Sequence, residues 1–233
     1  MTDVRPSLVE YVQTALAERA DPKKAAGMQA YMKTDMPFYG VQKPGRAGIF
    51  REIEARFAPK SHSGYLGMVD ALWELPHREE KYLAQAVAAG FREFIVPDSM
   101  PFYRRFIVEG AWWDFVDEAA THLVRELVIH HPEATWPIVD SWIDHPDMWL
   151  RRAAIICQVG AKERTDATRL FDFCARRAHE REFFIRKGIG WALREYARTD
   201  PEAVAGFALA HRDDLSGLSF REATKHIGHL VSA

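Results

Sequence analysis

Two tryptophans and two aspartates fall within six positions at WWDFVD, residues 112–117. On a helix, Trp113 and Asp117 are four residues apart and share a face. In a helix over 112–129, Trp112, Phe115, Val116, Ala119, Leu123 and Leu127 form the apolar stripe, and Trp113 lies off it. A second segment, FFIRKGIGWALREYAR (183–198), repeats the arrangement with opposite charge. Its core stripe is Ile185, Ile189, Ala192, Leu193 and Tyr196, while Lys187, Trp191 and Arg194 gather on another face. Rings interleaved with cations suit a nucleic acid, because the cations hold phosphates and the rings stack on bases or sugars. A carboxylate among them repels phosphate and so needs another purpose. It is useful where positive charge develops, as on the oxocarbenium-like sugar during N-glycosidic cleavage. The plain alternative on these residues alone is a Trp113 packed under a loop, with Asp117 solvated or capping a helix.

The elements that must position these residues read as nearly all helix. Segments such as PSLVEYVQTALAERA, YLGMVDALWEL and REIEARFA carry apolar residues at three- and four-residue spacing, and no strand-like alternation appears. Joints fall at Asp21-Pro22, Leu75-Pro76, Pro97-Asp98, His131-Pro132, His145-Pro146 and Asp200-Pro201. Small residues recur inside similar helices at Ala84, Ala119, Ala153, Gly188 and Ala223, at intervals of 35, 34, 35 and 35. That period predicts stacked antiparallel helix pairs, an all-α HEAT-like helical-repeat solenoid with a concave groove. One array over 1–233 is expected, with N-terminal helices over about 6–60 and the clearest repeats over about 77–233. Positions just before each small residue should line one wall: Asp117-Glu118, Arg151-Arg152, Arg186-Lys187 and Arg221-Glu222. Basic residues dominate that row, which favours an anion-binding groove. The step of 34 leaves the register open by one position.

Composition sets bounds on function. The net charge of −2 means that the molecule as a whole does not attract polyanions, so any basic surface must be segregated from an acidic one. Apolar runs such as AQAVAAGF are too short to cross a bilayer, and the N-terminal residues lack a secretory pattern, so a cytoplasmic protein is expected. Cys157 and Cys174 sit among apolar helical neighbours and read as buried free thiols. No HExxH, CxxC or Walker pattern appears, and no metal is expected.

The sequence resembles the DNA alkylation repair glycosylases built from HEAT-like repeats, the AlkD type. The matching pieces are YMKTDMPFYGVQKPGR (31–46), WWDFVD (112–117), MWLRRAAI (148–155), FFIRKGIGWALREYA (183–197) and REATKHI (221–227). The resemblance implies removal of N3- or N7-alkylated purines from duplex DNA by hydrolysis of the glycosidic bond. It places the catalytic aspartate on Asp117 and the two sugar-facing tryptophans on Trp113 and Trp191. Tyr31 and Gln42 match positions lining the groove near the lesion, and Arg152 matches a phosphate-contacting arginine. The expected DNA- and lesion-binding set is Tyr31, Gln42, Arg152, Phe183, Lys187 and Arg194. No cofactor, no obligate protein partner and a monomer are expected. The main rival is a non-catalytic DNA-binding member of the fold, whose signature would be loss of the aspartate or its tryptophans. A protein-binding helical scaffold is the third reading.

Overall fold

The computed structural model describes residues 7–232, and the described residues hold helices and no strand. The chain divides into two compact units, Met1–Ile95 and Val96–Ala233. Both are built from short helices whose ends follow local chemistry. Asp21 and Asp200 cap helices that begin with proline, each accepting main-chain N–H bonds through its carboxylate. Ser7, with Glu10, forms a capping box.

The first unit comprises α1 (Leu8–Ala17), α2 (Pro22–Met32), α3 (Lys43–Phe57), α4 (His62–Trp73) and α5 (Arg78–Gly90). Helices α1, α3, α4 and α5 pack on one another around Leu16, Ile49, Ile53, Leu72 and Leu83, all buried. The loop between α2 and α3 is held by a carboxylate from α5. Glu79 is fully buried and accepts N–H bonds from Tyr39 (3.1 Å), Gly40 (2.8 Å) and Val41 (3.0 Å). A buried carboxylate is tolerated when its lone pairs are filled, and here the main chain fills them. Gly40 has φ +89°, and a methyl group there would lie 2.1 Å from the Asp21 carbonyl oxygen. The loop can therefore close only over a glycine.

The second unit runs through α6 (Met100–Gly110), α7 (Trp113–Glu118), a π-helical segment Ala119–Val124, α8 (Arg125–His130), α9 (Pro132–Trp142), α10 (Met148–Ile156), α11 (Ala167–Arg176), α12 (Phe183–Tyr196), α13 (Pro201–Ala210), α14 (Gly217–Ala223) and α15 (Gly228–Val231). Its contacts make two layers. Helices α7, α10, α12 and α14 lie side by side in chain order, and α9, α11 and α13 pack behind them. This is the helical-repeat arrangement that the period of about 35 predicts. Ala84, Ala119, Ala153, Gly188 and Ala223 are all buried, as residues where neighbouring helices meet must be.

Two sequence expectations need correction. The helix expected over 112–129 starts at Trp113. Ala111 is left-handed (φ 40°) and Trp112 is extended (φ −152°, ψ 150°), so Trp112 leaves the apolar stripe. It packs instead against Trp149 and Phe184, with ring centroids 6.0 and 5.4 Å away. The helix then widens into a π turn from Ala119, in the repeat that begins the step of 34. A π turn inserts one residue without moving the flanking turns out of line, and such turns are frequent at functional sites.

Helix α12 meets α14 at close range because residue 190 is glycine. A methyl group at 190 would lie 2.5 Å from Glu222 Cβ and 3.2 Å from the Ser219 carbonyl oxygen. Gly190→Ala is therefore expected to lose about 1–3 kcal/mol of stability, measurable as a lowered urea midpoint, because α14 must back away.

Candidate active site

Asp117 occupies the last turn of α7, one turn after Trp113, and its side chain is 18% exposed. Both carboxylate oxygens are engaged from α10. Arg152 Nε donates to Oδ1 at 2.8 Å and its Nη2 donates to Oδ2 at 2.9 Å, a two-pronged contact between planar groups. The remaining Nη1 of Arg152 donates to the main-chain oxygen of Phe184 on α12. A methyl group at Gly188 would lie 3.3 Å from that Nη1, so the glycine gives the guanidinium its space. Three consecutive helices of one layer thus meet at a single ion pair. Thr121, inside the π turn, donates its hydroxyl to the Asp117 carbonyl oxygen at 2.8 Å.

Burial raises the Asp117 carboxyl above the ordinary aspartate value; Arg152 opposes that shift, and nearby Asp114 adds to it. The carboxylate is fixed in position and electrostatically costly, a state useful for stabilising a positive charge that arrives only in a transition state. Arg152 was expected on a DNA phosphate. It is 5% exposed, and its guanidinium hydrogen-bonds both Asp117 oxygens and the Phe184 carbonyl.

The other expected cations are also paired. Lys187 Nζ donates to Glu222 Oε1 at 3.0 Å, and Arg194 donates to the other oxygen of the same carboxylate. Both partners hold the Glu222 carboxyl below its usual range, Lys187 foremost. Arg151 pairs with Glu180 at 2.9 Å. The row read as mainly basic is therefore interleaved with carboxylates. Asp117 and Arg152 are 35 residues apart, as are Lys187 and Glu222, and both pairs bond across neighbouring repeats. This settles the register, because Asp117, Arg152, Lys187 and Glu222 are equivalent positions, with the π turn absorbing the short step.

Trp113 and Trp191 are both half-buried, on α7 and α12. Trp191 follows Lys187 by one turn, as Asp117 follows Trp113. Phe183 is 53% exposed at the start of α12 and packs edge-on against Phe184, with centroids 5.5 Å apart. In the first unit, Tyr31 (71% exposed) and Gln42 line a common cleft of about 460 Å³, together with Met28, Met32, Phe38 and Tyr82. Lys24, Lys43 and Arg46 add positive charge to it. Gln42 is the N-cap of α3 but makes no side-chain cap bond.

Sequence reasoning missed two participants. Glu79, which holds the loop leading to Gln42, looks like an ordinary acidic first turn of a helix. Nothing near it in sequence marks it as buried. Phe184 supplies a main-chain acceptor, which no side-chain motif can signal. Glu222 stands in the expected wall row, and its pairing follows from its place one period after Lys187 with the charge reversed. Cys157 and Cys174 are buried free thiols, as expected, with burial pushing both far above the reactive range. Among the described residues there is no cluster of His, Cys, Asp and Glu able to hold a metal, and no helix is long and apolar enough to cross a membrane.

A layered array of helix pairs with a fixed carboxylate beside tryptophan and cations defines a helical-repeat protein with a charged, aromatic site. The family model described as DNA alkylation repair enzyme matches residues 12–227, and the chain belongs to that family. Among solved structures, a predicted DNA alkylation repair enzyme from Enterococcus faecalis is 28% identical, with a TM-score of 0.80 over 89% of this chain and 96% of that one. Two more distant structures share the fold. AlkD2 from Streptococcus mutans is 14% identical with a TM-score of 0.62, over 87% of this chain and 99% of its own. The protein smu.31 from Streptococcus mutans UA159 is 13% identical with a TM-score of 0.57, over 95% and 100%. No curated protein matches.

Arg152→Met should test the pair. It strands a buried carboxylate, so the urea unfolding free energy should fall by roughly 3–5 kcal/mol. An unchanged midpoint would show that Asp117 does not depend on the guanidinium.

Proposed function

We propose that the protein is a monofunctional DNA glycosylase that excises N3- and N7-alkylated purines from duplex DNA, the first step of base-excision repair of alkylation damage. The observation that supports this reading best is the fixed, costly Asp117 carboxylate one turn from Trp113, in the helix layer that also carries Trp191.

The chemistry asks little of the protein. A purine alkylated at N3 or N7 is already cationic. When the C1′–N9 bond breaks, both electrons leave with the base, which departs neutral, so no general acid is needed. The second carboxylate of ordinary glycoside hydrolysis is then dispensable. The sugar is left with oxocarbenium character, which Asp117 stabilises. Arg152 fills one lone pair on each oxygen, and a carboxylate has about four such sites, so Asp117 can still orient the water that adds to C1′. The adding water gives up one proton to bulk solvent, and the products are the neutral free base, an apurinic site and that proton. Trp113 and Trp191 offer ring faces to the deoxyribose, each contributing about 0.5–2 kcal/mol to a developing cation. The route requires no metal or organic cofactor, since the leaving group carries the activating charge. Uncharged purines lack this easy departure, so selectivity comes partly from leaving-group reactivity.

In this reading duplex DNA lies along the helix layer that carries Trp113, Asp117 and Trp191. Lys187, Arg194 and Phe183 contact it near the lesion, and the first unit's cleft with Tyr31 and Gln42 also binds DNA. The protein acts as a monomer in the cytoplasm, with duplex DNA as its partner.

The decisive assay is release of 7-methylguanine from a defined duplex by the wild type and Asp117→Asn. The variant is expected to bind DNA but to cleave at least roughly a hundredfold more slowly. It leaves Arg152 facing an amide, so its unfolding midpoint must be measured alongside. Equal cleavage by both would overturn the mechanism. Absent cleavage by both, with salt-sensitive binding, would favour a non-catalytic DNA binder once 3-methyladenine had also been tried.

The pH profile gives a second check. Only ionised Asp117 can act, and its pKa is raised, so cleavage should be full above that pKa and fall as pH drops through it. The acid limb should therefore lie above the ordinary aspartate value of 3.8. A rate constant down to that value would argue against Asp117.

A further inference from the structure

The cationic face of α12 carries a carboxylate that the proposed chemistry does not use. Glu222 comes from α14 and reaches α12 because Gly190 lets the two helices touch. One oxygen takes Lys187 and the other takes Arg194, so a single carboxylate spans two cations on either side of Trp191. Two cations gripping two oxygens of one anion is also how a protein holds a backbone phosphate. Arg152, Lys187 and Arg194 face Asp117 and Glu222, so these five groups sum to only +1. The side chains remain reachable, with Lys187 39% exposed and Glu222 23% exposed.

We propose that Glu222 is an internal competitor for DNA phosphate, occupying Lys187 and Arg194 in the free protein and giving them up when DNA binds. This rests on the DNA-binding part of the reading above. Its effect is to limit affinity for undamaged duplex, since each encounter must break an ion pair before a phosphate contact can form.

Glu222→Gln keeps the side-chain shape and removes the competing charge. Its affinity for a labelled undamaged duplex, followed by fluorescence anisotropy, should rise several-fold at low salt. One extra net charge steepens the salt dependence by about 0.9, so the gain should shrink about three- to fourfold between roughly 50 and 200 mM salt. Glu202→Gln, an equal charge change at an exposed position on α13, serves as control and should have a clearly smaller effect. Equal affinities and salt slopes for the two variants would overturn the proposal and leave Glu222 as a helix clamp. The wild type gives an independent test. On titration with DNA, the Glu222 carboxyl NMR resonance should shift as its partners leave, and a static resonance at saturation would overturn the idea. Salt-sensitive binding by the wild type with no gain in Glu222→Gln sinks this inference alone. If the wild type binds no duplex, the functional reading falls as well.

Discussion

Two oxygens of Asp117 accept hydrogen bonds from two nitrogens of Arg152, and the same guanidinium donates to a main-chain oxygen of the next helix. The layer α7, α10, α12 is locked at this point. Neither charge tolerates burial alone, since an uncompensated buried ion costs several kcal/mol. Other features of the unit accommodate the pair. Gly188 makes room for the guanidinium, Thr121 ties the π turn to the aspartate, and the Trp112, Trp149 and Phe184 rings pack at the edge of the same cluster. Replacement by apolar side chains would suit stability equally well or better. An ion pair kept there, with one edge of the carboxylate open, makes sense where the charge itself has work to do.

The same logic recurs one period on with the partners exchanged. Arg152 reaches back to Asp117, and Lys187 reaches forward to Glu222. Repeat proteins place equivalent positions side by side, so a charge at one position meets its counterpart in the next repeat. A sequence row of cations therefore does not translate directly into a basic surface. Its field depends on which carboxylates share the row, and here they leave a small positive excess on an overall slightly acidic protein.

The first unit uses a buried carboxylate differently. Glu79 serves the main chain, gathering three N–H groups of the loop that ends at Gln42. A loop fixed in this way sets Phe38 and Gln42 into the cleft that Tyr31 of α2 also lines. Rigid support beneath an exposed polar residue is what a recognition surface requires.

Much of this was legible in the sequence. The helix class followed from apolar spacing, the repeat from small residues about 35 apart, and the proximity of Trp113 to Asp117 from their four-residue separation. These are local or periodic properties, and the chain alone determines them. The roles of Arg152 and Glu222 were not legible in the same way. Whether an arginine faces phosphate or carboxylate depends on which helix lies opposite, and that is a tertiary fact. The start of α7 turned on the left-handed Ala111, and the register on a π turn, neither of which leaves a composition signal. Sequence thus fixed which residues repeat and which face they share. Only packing decided which charges neutralise one another, because that depends on ångström-scale separations between segments about 35 residues apart.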